Sequence, residues 1–506
     1  MRLIIGGIPW YLLVCLHGSY VAADTASLRQ KLAALRIDAV FPQDPDYEKV
    51  SAAYNKRFTY KPAAIVFPHN ATEVANAVKV GVAEKIPVSP RSGGHSYAAY
   101  GLAGKNGALV IDLERLKHIS VDKASGQALI GAGSRLGDIA LGLNDHGGRA
   151  IPHGTCPHVG LGGHAAFGGY GFSSRMWGLT LDQITEHEIV LANGTIVTSS
   201  ATVNPDLFWA LRGAGSSFGI MTAMRFRTQP APSQATNFVY EWTLDVGEFS
   251  NALIQLQIFC MSELPAQLGL ESNLGKGEGG SGKLYLDLTG VWYGAENVLA
   301  NVIRPFLSQM PTPAKKSVKT TSWIASLKGT ADGQPLSTSG VDLRKEHDMF
   351  YAKSLTTPQS TPMSNSSILA FSKYLANQGH KSNTDWFVQF ELYGGKNSAV
   401  TAVGEDETAF AQRSILFTIQ FYASSKNASL PYPAEGFTLL DNMVDIIVNN
   451  NPSGWSYGAY ANYVDDRLSS SQWKSQYYKK HYQRLTQIKR AYDPRNVFSL
   501  PQSITE

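Results

Sequence analysis

Cysteine is scarce in this chain, which has only three cysteines in 506 residues. So few cysteines exclude a fold that depends on several disulfides, although Cys156 and Cys260 could still pair with each other. An excess of one charge is also missing, because the net charge is +4 and no run of basic residues occurs. We therefore expect no nucleic-acid partner. Beyond the N-terminal segment, no apolar stretch is long enough to span a bilayer, so we expect no membrane partner. We also expect a monomer, although nothing in the sequence specifies the oligomeric state.

The first 23 residues have the pattern of a secretory signal. One basic residue, Arg2, precedes an apolar run that ends near Leu16, and Val21-Ala22-Ala23 then precedes Asp24. The apolar run is too short for a membrane anchor. We expect cleavage after Ala23, which would remove Cys15 and release a secreted, extracellular protein.

Four Asn-X-Ser/Thr sequons agree with export and predict glycosylation. Their asparagines are Asn70, Asn193, Asn365 and Asn427. The Asn193-Gly194 pair also lies between two apolar stretches, which predicts a β-hairpin with a type I′ turn. A surface turn of this kind is accessible to a glycan.

The chain is long enough for two or three domains with a large core, and its pattern changes at a Pro-rich joint near Gln229–Asn237. Before the joint, short strands and helices alternate with glycine turns, as in the helix predicted at Ala71–Glu84. After it, longer strands and amphipathic helices follow. This pattern favours an α+β fold. We predict a first domain at 24–231 with its core at about 58–229, a second domain at 232–449, and a C-terminal segment at 450–506 that includes one long helix over 470–494.

The glycine-rich stretch Pro152–Phe172 contains Cys156 and three histidines, and it allows several interpretations. The spacing of these residues fits no usual zinc pattern and no carboxylate lies among them, so we expect no metal. Gly160–Ala165 matches the dinucleotide pattern G-x-G-x-x-A, but no strand precedes it. Glycines that only permit tight turns, with Cys156 as an apolar filler, would explain the stretch taken alone.

A second loop, Ser89–Gly101, follows the same plan and argues against that simpler interpretation. Here glycines surround His95, as they surround Cys156 in the first loop. Glycines let backbone N–H groups approach phosphates closely. Imidazole and thiolate are the side chains expected to form a bond to an activated aromatic cofactor.

The sequences "RSGGHSY" and "GTCPHVGLGGHAAFGGYGF" together resemble the flavoprotein oxidases of the vanillyl-alcohol oxidase fold, and more closely their berberine bridge enzyme-like branch. The stretches "NPDLFWALRGAGSSFGI" and "AYANYVDDRL" are similar to further signatures of that branch. The resemblance extends from about Phe58 to Phe498. It implies a two-domain fold in which an FAD-binding domain packs against a substrate domain with an antiparallel sheet, and in which the C-terminal segment returns to the FAD domain.

The resemblance also implies FAD attached through two covalent bonds. The matching histidine, His95, would bond the 8α-methyl group of the ring, and the matching cysteine, Cys156, would bond its C6 atom. Val159 matches a position associated with oxygen access, where a small residue is typical of oxidases. The residues expected to hold the cofactor around the two attachments are Arg91, Ser92, Gly93, Gly94, Ser96, Val159, Gly160, Gly162, Gly163, Gly168 and Gly169.

For catalysis, the resemblance implies that Tyr463 acts as the base. Glu391 stands where sugar-oxidising relatives have an aspartate, and it would assist. A free phenol titrates near pH ~10, so the pKa of Tyr463 must be lowered or its proton relayed. The residues expected on the substrate side are Tyr97, Gln267, Gln389, Gln420 and Tyr460, and core packing remains an equal interpretation of Tyr460.

The overall pattern resembles fungal oligosaccharide oxidases, which oxidise the anomeric C1 hydroxyl to a lactone and reduce dioxygen to hydrogen peroxide. The identity of the sugar stays open among glucose, xylose and N-acetylglucosamine oligomers. One alternative is a flavin oxidase of a secondary metabolite or aromatic alcohol, because the Tyr463 base would suit both. Another is an inactive carbohydrate-binding relative, although such a protein would need neither His95 nor Cys156.

Overall fold

The computed structural model describes residues 25–505. The secretory signal predicted at 1–23, with Cys15, lies outside the described residues. None of the helices in the described range is long and apolar enough to cross a membrane.

The described range forms eighteen strands. They are β1 (Ala39–Val40), β2 (Ala64–Val66), β3 (Val88–Arg91), β4 (Leu109–Asp112), β5 (Ile119–Val121), β6 (Gln127–Gly131), β7 (Arg149–Ala150), β8 (Ile184–Val190), β9 (Ile196–Ser200), β10 (Ile220–Arg227), β11 (Gln229–Pro230), β12 (Ala235–Leu244), β13 (Leu268–Lys276), β14 (Leu284–Trp292), β15 (Lys315–Thr321), β16 (Phe350–Pro358), β17 (Thr384–Leu392) and β18 (Ile415–Ser425).

The same range forms fifteen α-helices. They are α1 (Thr25–Ala34), α2 (Tyr47–Val50), α3 (Ala71–Ala83), α4 (Leu136–Asp145), α5 (Leu161–Ala166), α6 (Ser174–Trp177), α7 (Pro205–Ala214), α8 (Val246–Cys260), α9 (Glu296–Leu307), α10 (Trp323–Gly329), α11 (Asn365–Tyr374), α12 (Ala399–Ala402), α13 (Ala434–Asn449), α14 (Ser470–Trp473) and α15 (His481–Tyr492).

Three sheets carry the architecture, and their content confirms the predicted α+β class. A four-stranded sheet has the order β1-β2-β4-β3, with β2 and β3 both parallel to β4. A five-stranded antiparallel sheet has the order β5-β6-β10-β8-β9. The largest sheet is antiparallel, with the order β15-β12-β14-β13-β17-β18-β16. The strands β7 and β11 form a separate short pair.

Alternation along the strands of the large sheet determines what each of its faces meets. In β17, Trp386, Val388 and Phe390 are buried in the apolar core that α8, α11 and α13 complete. Gln389 precedes Phe390 and Glu391 follows it, so both face the opposite side. The helix-covered face therefore stabilises the sheet, and the other face is available for polar side chains.

The first and last parts of the chain share one core. Residues of α15 such as Leu485 and Ile488 are buried in the same apolar cluster as Val78 of α3 and Leu109 of β4. The buried residues of the large sheet and its helices form a second cluster. The exact domain boundaries at 231 and 449 stay a prediction.

Local expectations agree with the structure except at two places. The helix predicted at Ala71–Glu84 is α3, and Asn70 caps it by accepting a hydrogen bond from the Glu73 N–H. The hairpin formed by β8 and β9 is confirmed, but the type I′ turn was wrong. Gly194 has φ +75° whereas Asn193 has no positive φ, and the Gly194 N–H donates to the Leu191 carbonyl. This is a type I turn followed by a left-handed glycine.

The second difference concerns the long C-terminal helix predicted over 470–494. The chain instead forms α14, a wide π-helical turn at Lys474–Tyr478, and then α15. Lys479 has φ +48° and breaks the helix. The break lets Tyr477 and Tyr478 pack into the core shared with the first part of the chain.

Candidate active site

A cavity of about 370 Å³ lies between the two glycine loops, the open face of the large sheet and the C-terminal segment. The loop after β3 carries His95, and the loop before α5 carries Cys156. The strands β13, β17 and β18 supply polar side chains from the other side. Tyr463 reaches the same cavity from the C-terminal segment.

The two glycine loops touch each other backbone to backbone. An added Cβ at Gly93 would lie 2.2 Å from the Gly160 nitrogen, and one at Gly160 would lie 2.0 Å from the Gly93 nitrogen. The Ser92 hydroxyl bridges the contact, because it donates to the Ala132 carbonyl and accepts from the Gly162 N–H at 3.1 Å. Glycine is therefore required at both contact positions for the loops to approach this closely.

His95 lies in a setting that keeps its imidazole neutral. Burial, followed by the nearby Arg135 charge, lowers the pKa of His95 to about 3. The ring stacks on Tyr54, with 4.3 Å between the ring centroids. A neutral imidazole keeps the lone pair that a nucleophile needs.

Cys156 is a free cysteine, as is the fully buried Cys260, so the disulfide left open above does not form between them. Burial raises the pKa of the Cys156 thiol. The backbone N–H groups of His158 and Val159 oppose that effect by favouring the thiolate.

The histidines near Cys156 have other partners. His158 is buried and its Nδ1 forms a hydrogen bond with Glu346. His164 Nε2 accepts a hydrogen bond from the Gly154 N–H at 3.2 Å. Within residues 25–505, no group of three or more His, Cys, Asp or Glu side chains is arranged to hold a metal ion.

Tyr463 and Glu391 form a hydrogen-bonded pair at the cavity. The Tyr463 hydroxyl donates to Glu391 Oε1 at 2.7 Å. Burial, and then the charge of Glu391, raises the pKa of Tyr463 well above its ordinary value. The pKa is therefore not lowered, and of the two routes expected from the sequence only a proton relay remains. Glu391 Oε2 is buried without a hydrogen-bond partner.

Glu271 faces Glu391 directly across the β13–β17 pair, and sequence reasoning did not select it. Burial, followed by the charge of Asp287, raises the pKa of Glu271 to about 8. Burial and then Glu271 raise the pKa of Glu391 well above its ordinary value. Two facing carboxyls resist simultaneous ionisation. The sequence did contain a signal for Glu271, because it is the one acidic residue in the alternating strand pattern of "LGLESNLGK".

The substrate-side residues predicted from the sequence converge, with one exception. The Gln420 side chain donates to the Tyr97 hydroxyl at 2.8 Å, and Gln389 lies directly opposite Gln420 in the sheet. All three line the cavity, as does Tyr460. Gln267 does not. It lies in the turn that precedes β13, where its side chain is exposed to solvent.

Tyr460 also has a structural role, because its hydroxyl accepts a hydrogen bond from the Gly169 N–H at 2.9 Å. Gly168 and Gly169 therefore pack against Tyr460 and do not line the cavity, contrary to the expectation that they hold the cofactor. A Cβ at Gly168 would lie 2.8 Å from the Tyr460 ring. The other expected cofactor residues all line the cavity: Arg91, Ser92, Gly93, Gly94, Ser96, Val159, Gly160, Gly162 and Gly163.

The residues of this cavity fit FAD. At Gly163 an added Cβ would meet no protein atom within 4 Å, although this residue lines the cavity, so the loop leaves space beside its backbone. The two candidate nucleophiles, His95 and Cys156, line the same cavity. Backbone N–H groups near glycines suit phosphates, and two nucleophiles facing one space suit a ring bonded twice.

Comparison with known proteins supports this fit. Residues 62–200 match the family model described as an FAD binding domain, and residues 459–505 match the model described as berberine and berberine like. The FAD-linked oxidoreductase dpmaF of Metarhizium anisopliae is 36% identical, covering 96% of this chain and 92% of that protein. The glucooligosaccharide oxidase of Sarocladium strictum is 35% identical, covering 93% of each chain.

Solved structures agree with the sequence comparison. A glucooligosaccharide oxidase from Acremonium strictum, whose structure concerns its 6-S-cysteinyl, 8α-N1-histidyl FAD, superposes with a TM-score of 0.87. It is 34% identical, and the match covers 95% of this chain and 99% of that one. The predicted two-domain oxidase fold and the FAD cofactor are thereby confirmed.

Proposed function

The chain belongs to the berberine bridge enzyme-like FAD-linked oxidoreductases, and from this membership we propose that it oxidises the anomeric C1 hydroxyl of an oligosaccharide to a lactone. The observation that carries the proposal is the Tyr463–Glu391 pair, which faces the same cavity as His95 and Cys156. The oligosaccharide oxidases among its relatives support the substrate class. The lactone would open in water to the aldonic acid.

The cofactor would be held at two points, through His95 to the 8α-methyl group and through Cys156 to C6. FAD bound there would supply a hydride acceptor, and dioxygen, with two electrons and two protons, would be reduced to hydrogen peroxide. Val159, a small residue lining the cavity, leaves room for dioxygen. Because two covalent bonds would hold the ring, the protein need not enclose it deeply. The cleft can then stay open, which suits a long substrate.

The proton of the substrate hydroxyl goes to Tyr463. Because the pKa of Tyr463 is raised, a stable phenolate does not form, and the phenol must lose its own proton as it gains one. Glu391, at 2.7 Å, is positioned to accept that proton in its ionised form. Gln389, Gln420 and Tyr97 would orient the sugar by hydrogen bonds. Since the pKa of Glu391 is also raised, we expect the rate to increase with pH.

Anaerobic addition of candidate substrates tests the proposal most directly. Glucose, xylose and N-acetylglucosamine oligomers, then aromatic alcohols and alkaloids, would be added while the FAD absorbance is followed. We expect one sugar class to bleach the FAD. A yellow protein that only an aromatic alcohol or alkaloid bleaches would support a role in secondary metabolism. A yellow protein that nothing bleaches would support the inactive carbohydrate-binding alternative, and a colourless protein would contradict FAD binding itself.

We also propose that the protein is secreted and glycosylated. The asparagines of all four sequons, Asn70, Asn193, Asn365 and Asn427, have exposed side chains, so each is accessible to a glycan. Expression in a fungal host should place the protein in the medium, and endoglycosidase treatment should lower its mass. A protein retained in the cell at its unmodified mass would contradict this proposal.

A further inference from the structure

Arg135 is a cation between the two glycine loops that the proposed reaction does not use. Its Nη1 donates to the Gly93 carbonyl at 3.0 Å and also to the His158 carbonyl. The backbone of Arg135 lies opposite Gly160 in an isolated antiparallel bridge. One nitrogen of the guanidinium therefore links the loop that carries His95 to the loop that carries Cys156.

Each of the two carbonyls belongs to a residue two positions away from a candidate attachment residue. Gly93 lies two residues before His95, and His158 lies two residues after Cys156. Consecutive Cα atoms are about 3.8 Å apart. Because only two residues separate each nucleophile from a hydrogen-bonded carbonyl, its backbone can move only a short distance from that carbonyl. A single donor at Nη1 consequently limits the distance between the two nucleophiles.

The charge of Arg135 favours the reactive form of both nucleophiles. After burial, it is the largest influence lowering the pKa of His95 to about 3, so the imidazole is neutral. On Cys156 it opposes the burial that raises the pKa of the thiol, and so favours the thiolate. A cation stabilises the deprotonated form of both groups, whichever charge that form carries.

We propose that Arg135 is a positioning residue for cofactor attachment, holding the His95 and Cys156 loops at the separation at which one FAD ring bonds to both. This inference rests on the two attachments of the proposed function. Each bond replaces one hydrogen of the protein, the imidazole N–H or the thiol S–H, and one C–H hydrogen of the ring. The two protons and two electrons released per bond pass to dioxygen, which is reduced to hydrogen peroxide.

The test counts attachments in soluble, FAD-carrying molecules, so that losses in folding do not enter the result. The protein is denatured and alkylated, and peptide mapping gives the fraction of Cys156 that reacts as a free thiol. In Arg135→Gln we expect this fraction to rise about tenfold over the wild type, as for the loss of a hydrogen bond to a charged group. Arg135→Lys keeps a charge and a donor nitrogen, and it should lie between the wild type and Arg135→Gln.

Arg149→Gln is the matched control. Arg149 also donates to a backbone carbonyl, that of Thr228 at 2.6 Å, but it lies outside the two loops. Its Cys156 should be bonded as in the wild type. A free-thiol fraction equal to the wild type in Arg135→Gln would overturn the inference. Should that variant be insoluble, an unchanged fraction in Arg135→Lys would overturn it in the same way.

His95→Ala and Cys156→Ala separate this inference from the proposed function. Each should keep one bond to FAD after denaturation in acid, and the double variant should keep none. A wild-type protein that releases its FAD in acid would contradict the proposed attachments themselves. A wild-type protein bonded twice, beside an Arg135→Gln variant also bonded twice, would contradict only the role of Arg135.

Discussion

The cavity has two walls, and backbone atoms form most of one whereas side chains form the other. The loop wall consists largely of backbone, with Gly93 and Gly160 in direct contact and hydrogen bonds made by carbonyl and N–H groups. The sheet wall consists of side chains on regular antiparallel strands, where Glu271 and Glu391 face each other. Where the two loops touch, at Gly93 and Gly160, an added atom has no space. In the sheet wall a side chain can change without moving the backbone, but two buried acids compete for ionisation.

This difference predicts that the loop wall is sensitive to volume and the sheet wall to charge. In the proposed function, the loop wall would hold the cofactor through His95 and Cys156. In the proposed function, the sheet wall and Tyr463 would take the proton from the substrate. Substitutions in the first should therefore change assembly, and substitutions in the second should change rate and its pH dependence.

Gly160→Ala should have the largest effect. The new Cβ would lie 2.0 Å from the Gly93 nitrogen, so the loops must separate. We expect the free energy of unfolding to fall by about 3 kcal/mol, and doubly bonded FAD to be lost. Thermal unfolding and the peptide map measure the two effects. Gly275→Ala in β13 is the control, because its Cβ would meet no protein atom within 4 Å and the residue does not line the cavity, so its stability should match the wild type. Equal stability of both variants would contradict the contrast between the walls.

Tyr463→Phe should leave assembly intact and slow the reaction. Removal of a general base lowers rates by ~10²-fold or more, so stopped-flow bleaching of FAD by the identified substrate should slow by that factor. Covalent FAD should stay at the wild-type level. Tyr460→Phe is the control, since its hydroxyl accepts from the Gly169 N–H and would not act on the substrate proton. A wild-type rate in Tyr463→Phe would place the base elsewhere.

The two walls also differ in how far sequence alone predicts them. The loop wall comes from two continuous stretches, so His95, Cys156 and their glycines could be selected together. The sheet wall depends on register between strands distant in sequence. Glu271 meets Glu391 only because β13 pairs with β17, and nothing local to either strand specifies that pairing. Gln267, just before β13, was selected as a substrate-side residue, but it lies in a turn and its side chain is exposed to solvent.

The remaining errors have the same origin. Gly168 and Gly169 belong to the continuous glycine stretch, yet they pack against Tyr460, a residue almost 300 positions later. The helix break at Lys479 accompanies the packing of Tyr477 and Tyr478 against the first part of the chain. Local pattern predicted the presence of elements and nucleophiles, whereas partners contributed by distant segments required the fold.

Glu271→Gln should have the smallest effect and test the sheet wall by charge alone. Burial, and then Glu271, raises the pKa of Glu391, so this carboxyl ionises only as the pH rises toward the raised pKa. Removing the Glu271 charge removes the second cause and lowers the pKa of Glu391. The acid limb of the rate of FAD bleaching should therefore move to lower pH.

Asp287→Asn is the matched control for this shift. Asp287 raises the pKa of Glu271, whereas Glu391 responds to burial and to Glu271, so removing Asp287 should not move the acid limb to lower pH. A contact between Glu271 and the sugar would give a different result, in which KM rises and the pH profile stays in place. An unchanged acid limb in Glu271→Gln would mean that the two carboxyls titrate independently, and that charge does not govern the sheet wall.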